Sequence, residues 1–372
     1  MKATTLVTVS TVLTVLGAAA AAADIRIAVV GPMTGPSAAI GEELRRGAEK
    51  AVADVNAAGG VLGQKLNLIV GDDACDPKQA VSVANDVVSQ QIVFVDGHYC
   101  SGSSIPASAV YNEAGILQIS PGSTNPALTD DAAAKGWTNV YRTVGRDDAQ
   151  GRVAGQYLAS HYKGKAIAII DDKSAYGKGL ADETRKVLQA EGGKEVIDEQ
   201  ITAGDRDFGA LISKLKAAHV EAIYFGGYEV EAGLIARQAH DQKLEATLIG
   251  GDALLTQQFY NVSGPAGDGS LMTFAPDPRK VPTAKAVVEA FQKDGYEPEG
   301  YTLYSYASIQ VFVAAAVTAK STDLDELTAV LQSGRTFDTV IGSLKFDKKG
   351  DIMNPAFVFY RWEGGSYTEL ND

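Results

Sequence analysis

The residues able to do chemistry gather where short apolar runs break into small, hydroxylated or aromatic positions. Residues 92–95 (Ile-Val-Phe-Val) read as a buried β-strand, and after Gly97 the chain continues His98-Tyr99-Cys100-Ser101-Gly102-Ser103-Ser104-Ile105-Pro106. Ser103 or Ser104 is expected to cap the next helix, with Pro106 in its first turn, where a missing N–H is no loss. A strand feeding a helix N-terminus turns unpaired N–H groups outward beside hydroxyls. That arrangement suits a small anion, a carboxylate as readily as a phosphate. An ordinary Ser/Gly turn would use the same residues. A second exit of this kind follows residues 116–119, in Ser120-Pro121-Gly122-Ser123-Thr124-Asn125-Pro126, and further strand ends contribute Tyr176, Tyr228 and Asp252. Ser101, Gly122, Ser123 and Thr124 offer hydroxyls and backbone amides for a carboxylate. Asp252 offers an acid for a cation, and Tyr99, Tyr176 and Tyr228 offer aromatic walls. Together they make an inventory for a zwitterionic amino acid. Taken singly, each has a plainer use: Tyr closes cores, Ser and Gly make turns, and Asp ends loops.

Enzyme patterns are missing. The sequence has no G-x-G-x-x-G, no phosphate loop with Lys-Ser/Thr and no G-x-S-x-G elbow. His98, His161, His219 and His240 lie far apart, without metal-ligand spacing, so no metal and no cofactor is expected. His98 is read as a partner for backbone groups. Asp72-Asp73 and Asp171-Asp172 could work as acid–base pairs or hold a cation, but strand-end acids capping the next helix are the preferred reading. An exported hydrolase would need a nucleophile–base pair, and none is offered within reach of Ser101.

The formal charge of −13 argues against nucleic acid, whose binding requires a basic face. Residues 1–23 combine Lys2, a short apolar stretch and an Ala-rich end. They read as a secretory signal cleaved after Ala23, which leaves an exported chain starting at Asp24. A lipid anchor is not expected, because the only cysteines are Cys75 and Cys100. In an exported protein two cysteines most simply form one disulfide; closing roughly 25 residues contributes about 3 kcal/mol in the chain-entropy model.

From Asp24 onward strand-like and helix-like patterns alternate. Strands are expected near residues 25–30, 66–70, 92–95 and 116–119, with helices over 42–56, 78–88 and 104–114. After a break at Val144-Gly145-Arg146 the pattern restarts. Helices are then expected over 149–162, 180–190, 208–217 and from Tyr228 to about 242, with strands at 166–170, 196–200, 222–225 and 247–249. Repeated strand–helix–strand units imply parallel sheets covered by helices on both faces, an α/β fold in two doubly wound lobes. Beyond the Pro276, Pro278 and Pro282 connector, helices at 283–293, 303–319 and 324–331 precede short strands at 344–346 and 357–362. Composition leaves open whether this tail returns to the first lobe.

At these residues the chain resembles the periplasmic leucine/isoleucine/valine-binding proteins of bacterial ABC importers, over essentially its whole mature length. The resemblance is carried by Ala28-Val29-Val30-Gly31, Gly59-Gly60, Asp72-Asp73-Ala74-Cys75-Asp76-Pro77-Lys78-Gln79-Ala80, Gly97-His98 with Cys100-Ser101, Tyr176-Gly177, Ile201-Thr202-Ala203-Gly204 and Gly226-Gly227-Tyr228. It implies a type I periplasmic binding protein: two lobes joined by a three-segment hinge that close on a ligand, with residues 24–145 and 276–356 in one lobe and 146–275 and 357–372 in the other. It also implies a Cys75–Cys100 disulfide, Ser101 and Thr124 on the ligand carboxylate, and the Gly122 carbonyl, with Ser123 beside it, and Asp252 on the ammonium. Tyr176, Tyr228 and Tyr301 would cover the ligand. The chain departs from the family at Asp252, where Glu is usual and one methylene withdraws the carboxylate by about 1.5 Å. It departs again at Ile40, where an aromatic is usual, and at Tyr99, where Leu is usual. These side chains shape the pocket and bear on whether leucine, or a smaller or differently spaced ligand such as alanine, proline or γ-aminobutyrate, fits best. The implied partners are a free amino acid and the membrane permease subunits of an ABC importer, with the protein itself a periplasmic monomer that makes or breaks no bond.

Overall fold

Strand β1 (Ile25–Gly31) is an uninterrupted apolar run with nearly every side chain buried, the signature of a strand covered on both faces. The computed structural model describes residues 24–370, so the expected leader, Met1 to Ala23, lies outside the described residues. β1 is followed by α1 (Ala38–Ala57), β2 (Leu66–Asp72), α2 (Pro77–Ser89), β3 (Phe94–Gly97), α3 (Ser101–Glu113), β4 (Leu117–Ser120), α4 (Ala127–Ala134) and β5 (Val140–Arg142). The five strands form one parallel sheet in the order β2-β1-β3-β4-β5.

The chain then builds a second sheet through α5 (Asp147–His161), β6 (Ile167–Asp171), α6 (Ala175–Ala190), β7 (Ile197–Gln200), α7 (Gly209–Ala217), β8 (Ala222–Gly226), α8 (Glu229–Asp241), β9 (Thr247–Gly250), α9 (Gln257–Ser263) and β10 (Leu271–Phe274). Its parallel core runs β7-β6-β8-β9-β10, the same order as the first sheet. The tail adds α10 (Lys285–Lys293), α11 (Thr302–Ala319), α12 (Leu324–Leu331), the hairpin β11 (Phe337–Thr339) and β12 (Gly342–Leu344), then β13 (Val358–Glu363) and β14 (Ser366–Glu369). β13 and β14 join the second sheet antiparallel beside β10.

The tail helices return to the first lobe. α11 packs on α1 and β3, with Phe94 and Phe312 stacked at 4.5 Å. Ser305 and Ser308 of α11 both donate to the buried Asp96 carboxylate at the end of β3. Burial pushes that carboxyl up to about 8 against these two hydrogen bonds. α11 is apolar and long enough to match a membrane span by composition, but it is mostly buried within this lobe. The chain therefore passes between the sheets three times: after β5, after β10 and before β13.

Candidate functional site

In each sheet the strand order reverses beside one strand, at β1/β3 and at β6/β8, which opens a crevice at the carboxyl ends of the strands. The sequence candidates sit at those ends. Tyr99 and Ser101 follow β3, Gly122 and Thr124 follow β4, Tyr176 follows β6, Tyr228 follows β8 and Asp252 follows β9. Tyr301 is the exception, entering from the residue before α11. All are buried except Tyr228, which is half-buried, and Ile40, Tyr99, Tyr176 and Tyr301 share one apolar cluster that bridges the two lobes.

The anion wall begins at α3. This helix starts at Ser101, earlier than the Ser103/Ser104 cap read from sequence. Cys100 is its N-cap, and the Ser103 and Ser104 N–H groups donate to the Cys100 carbonyl at 2.9 Å. Pro106 consequently lies inside the helix, not in its first turn. Cys100 is fixed by its disulfide to Cys75, whose Cα is 5.5 Å away, so the helix start is tied to the turn after β2. Ser101 Oγ accepts the Asn125 N–H at 3.3 Å, which leaves its own proton to donate. Thr124 Oγ1 is buried and has no hydrogen-bond partner among the described residues. The loop carrying Thr124 is held by the buried Arg142, whose guanidinium donates to the carbonyls on either side, Ser123 at 2.7 Å and Asn125 at 3.1 Å, while ion-pairing with Asp351 at 2.8 Å.

Ser123 departs from its expected role. Its hydroxyl donates to the Tyr99 carbonyl at 2.8 Å and meets Ser104 Oγ at 2.5 Å, its N–H donates to Ser120 Oγ at 2.8 Å, and its carbonyl is taken by Arg142. With its polar groups spent inward, Ser123 holds the loop rather than facing the crevice.

Opposite stands an acidic wall. Asp252 accepts from Tyr301 Oη at 2.6 Å, Tyr176 Oη at 2.8 Å and Gln150 Nε2 at 2.9 Å. Burial raises its carboxyl above the usual range against those three donors. Asp147, the first residue of α5, is wholly buried, and neither of its carboxylate oxygens has a partner among the described residues. Its N–H donates to the Thr124 carbonyl at 2.9 Å, which places it beside the anion wall. Burial first, then the charge of Asp252, pushes its carboxyl well above normal. No lysine or arginine among the described residues ion-pairs with Asp252 or Asp147. The Thr124 hydroxyl and the Arg142 charge offset the burial of Asp147 only in part, so two buried acids share one crevice without an ion pair, a costly arrangement unless a cation arrives.

Aromatic rings close the remaining sides. Tyr99 lies 5.0 Å from Tyr301 and 5.9 Å from Tyr228, and Tyr176 lies 5.0 Å from Tyr228. Gly122 is required beneath Tyr99, because a Cβ there would come within 2.5 Å of the ring.

Asp147 and Gln150 were not legible as site residues. The strand that presents them, β5, is three residues long and gives too short an apolar run to recognise, so its exit goes uncounted. His98 also differs from expectation. Its ring bonds the side chains of Asp73 at 2.5 Å and Tyr111 at 2.9 Å, while its carbonyl accepts from Ser104, Ser120 and Ser123. The paired acids brace turns rather than cap helices. Asp72 accepts from Met33 and Thr34, Asp171 and Asp172 from Lys173 and Ser174, while Asp76 caps α2 and Ser174 caps α6.

Residues 24–366 match the family model described as periplasmic binding protein. The chain is 48% identical over 349 residues to the Leu/Ile/Val-binding protein homolog 1 of Brucella suis, covering 94% of this chain and 93% of the relative. It is also 48% identical over 354 residues to an amino acid binding protein of Pseudomonas aeruginosa, with the same coverage. Among solved structures, the leucine-binding protein of Thermotoga maritima superposes with a TM-score of 0.85 at 25% identity, covering 93% of this chain and 98% of the other. A branched-chain amino acid transporter substrate-binding protein of Streptococcus pneumoniae, in complex with isoleucine, gives 0.82 at 27% identity, covering 93% and 100%. Repeated sheet topology, a crevice at the strand ends and near-complete coverage agree, and the chain belongs to the periplasmic binding protein family.

Proposed function

We propose that this chain is the solute-binding component of an amino-acid ABC importer, capturing a branched-chain or other aliphatic amino acid between its lobes. Ser101, Thr124 and the first amides of α3 hold the carboxylate. Asp252, the Gly122 carbonyl and Asp147 receive the ammonium group. Tyr99, Tyr176, Tyr228, Tyr301 and Ile40 wall the side chain, and Ser123 supports the loop between them. The protein works in the periplasm after loss of residues 1–23, as a monomer that delivers its ligand to membrane permease subunits. It makes and breaks no bond. The chain's net charge of −13 argues against a nucleic-acid partner.

One observation carries this reading: Asp147 and Asp252 are buried with no basic side chain ion-paired to them, in the same crevice as a helix start suited to an anion, and the Asp147 N–H donates to the Thr124 carbonyl beside that start. A zwitterion satisfies both walls at once. Selectivity for smaller amino acids, proline or γ-aminobutyrate is the second reading, favoured by the Tyr99 ring packed over Gly122, which narrows the crevice. Isothermal titration of refolded, ligand-free protein against the common amino acids tests the class. Binding of aliphatic amino acids is expected, and no heat with any amino acid would overturn it.

A further inference from the structure

Glu229 is a buried acid that this clamp leaves unused. It opens α8 directly after Tyr228, is 0% exposed, and neither carboxylate oxygen has a hydrogen-bond partner among the described residues. No lysine or arginine among the described residues ion-pairs with it. Its surroundings add negative charge: Glu231 and Asp172 from its own lobe act on it directly, and it acts in turn on Glu43 of α1. Across the crevice, the Ser37 hydroxyl at the start of α1 is the side-chain group that favours its ionised form. Its own N–H and the Ser37 hydroxyl favour the ionised form, but these loose contacts leave most of the carboxylate's hydrogen-bonding capacity unused.

A second orphan faces it from the other lobe. The Tyr99 hydroxyl is buried without a close hydrogen-bond partner among the described residues, with the Tyr301 hydroxyl favouring its ionised form; its ring lies 5.9 Å from Tyr228, and Glu229 is the carboxylate whose charge acts on it most strongly. Tyr301 spans from Asp252 to Glu43, the acid on which Glu229 acts. Its hydroxyl meets Asp252 at 2.6 Å, whereas its own N–H meets Glu43 at 2.9 Å. Asp252 and Glu43 therefore stand about one tyrosine side chain apart.

We infer that Glu229 and Tyr99 form a polar end to the side-chain pocket, selecting α-amino acids whose aliphatic stem carries a terminal amino group. This rests on the reading that the crevice binds an amino acid. The α-ammonium sits at Asp252 and Asp147, the stem runs along the tyrosines, and the terminal ammonium donates to Glu229. Tyr99 Oη accepts a further hydrogen bond from the same ammonium. A pocket built to receive a hydrogen-bond donor rejects the apolar analogue strongly, because its own groups are left unpaired.

Titration calorimetry on the ligand-free full chain with matched pairs tests this: ornithine against norvaline, and 2,4-diaminobutyrate against 2-aminobutyrate. The amine-tipped member of at least one pair is expected to bind tenfold or more tightly. Glu229→Gln is expected to cut that preference at least tenfold while leaving the apolar member unchanged or tighter. Equal or tighter binding of both apolar members, or an equal loss for both members in Glu229→Gln, overturns the inference while leaving an amino-acid site in place. Silence with all four ligands and with leucine overturns the inference together with the class.

Discussion

The Tyr301 hydroxyl, anchored in the first lobe ahead of α11, donates to the Asp252 carboxylate of the second lobe at 2.6 Å. This bond ties the two lobes together at the acid proposed to receive the ligand's ammonium. Asn125 Nδ2, donating to the Ala175 carbonyl at 2.5 Å, is a second tie across the same crevice. Tyr301→Phe keeps the ring but removes the tie and leaves Asp252 one donor short. Ligand affinity should fall by about 1–2 kcal/mol, roughly 5- to 30-fold, with the fold intact. Calorimetry measures the loss, and small-angle scattering should record a larger open population.

Thr124→Val tests the anion wall. Thr124 Oγ1 has no partner within the described residues, so its removal costs the unliganded protein little. Affinity should fall about tenfold, the worth of one hydrogen bond to a carboxylate. Thermal unfolding without ligand should stay within about 2 °C of the parent. Unchanged affinity would move the carboxylate elsewhere.

Stability of the ligand-free protein should depend on pH through its raised carboxyls. Burial lifts Asp96 to about 8, Glu229 to about 7 and Asp172 to about 6, all above their unfolded values near 4. Between the unfolded and folded values the native state binds more protons than the unfolded chain, so stability falls as pH rises from about 4 to 8. Asp130, held at about 2 mainly by Arg146, works in the opposite sense, but only below pH 4. Melting temperatures across pH 5 to 8 should therefore decline, and Asp96→Asn should flatten the upper part of that decline.

The disulfide places the start of α3, because Ser101 follows Cys100 directly. Replacing Cys75 and Cys100 by Ser should cost about 3 kcal/mol of stability, given the 25-residue separation. Denaturant midpoints report that loss. Amino-acid affinity should fall as well, since the anion wall loses its tether to the turn after β2.

Much of this was legible in the chain because α/β periodicity is local. Apolar runs such as residues 25–30 and 222–225, each broken by glycines, declare buried parallel strands whose exits carry the site residues. Ser101, Thr124, Tyr176, Tyr228 and Asp252 could be gathered from strand ends alone. Short elements escaped: β5 spans three residues, β14 four, and both depend on neighbours in the sheet rather than on their own pattern. Serine propensity favours a start of α3 at Ser103 or Ser104, whereas the disulfide-tethered Cys100 is its N-cap and the helix begins at Ser101.

The sequence by itself determined the alternation of strands and helices, the acidic charge, and the residue types fit for a zwitterion, since these follow from composition and spacing. Only the tertiary structure decided which polar groups are spent and which are free. It turned Ser123 inward, where backbone carbonyls and Arg142 absorb it, and brought Asp147 beside Thr124 from a strand too short to read. It left Glu229 and the Tyr99 hydroxyl buried without partners on opposite lobes. Hydrogen-bond satisfaction is a property of neighbours distant in the chain, and no local pattern records it.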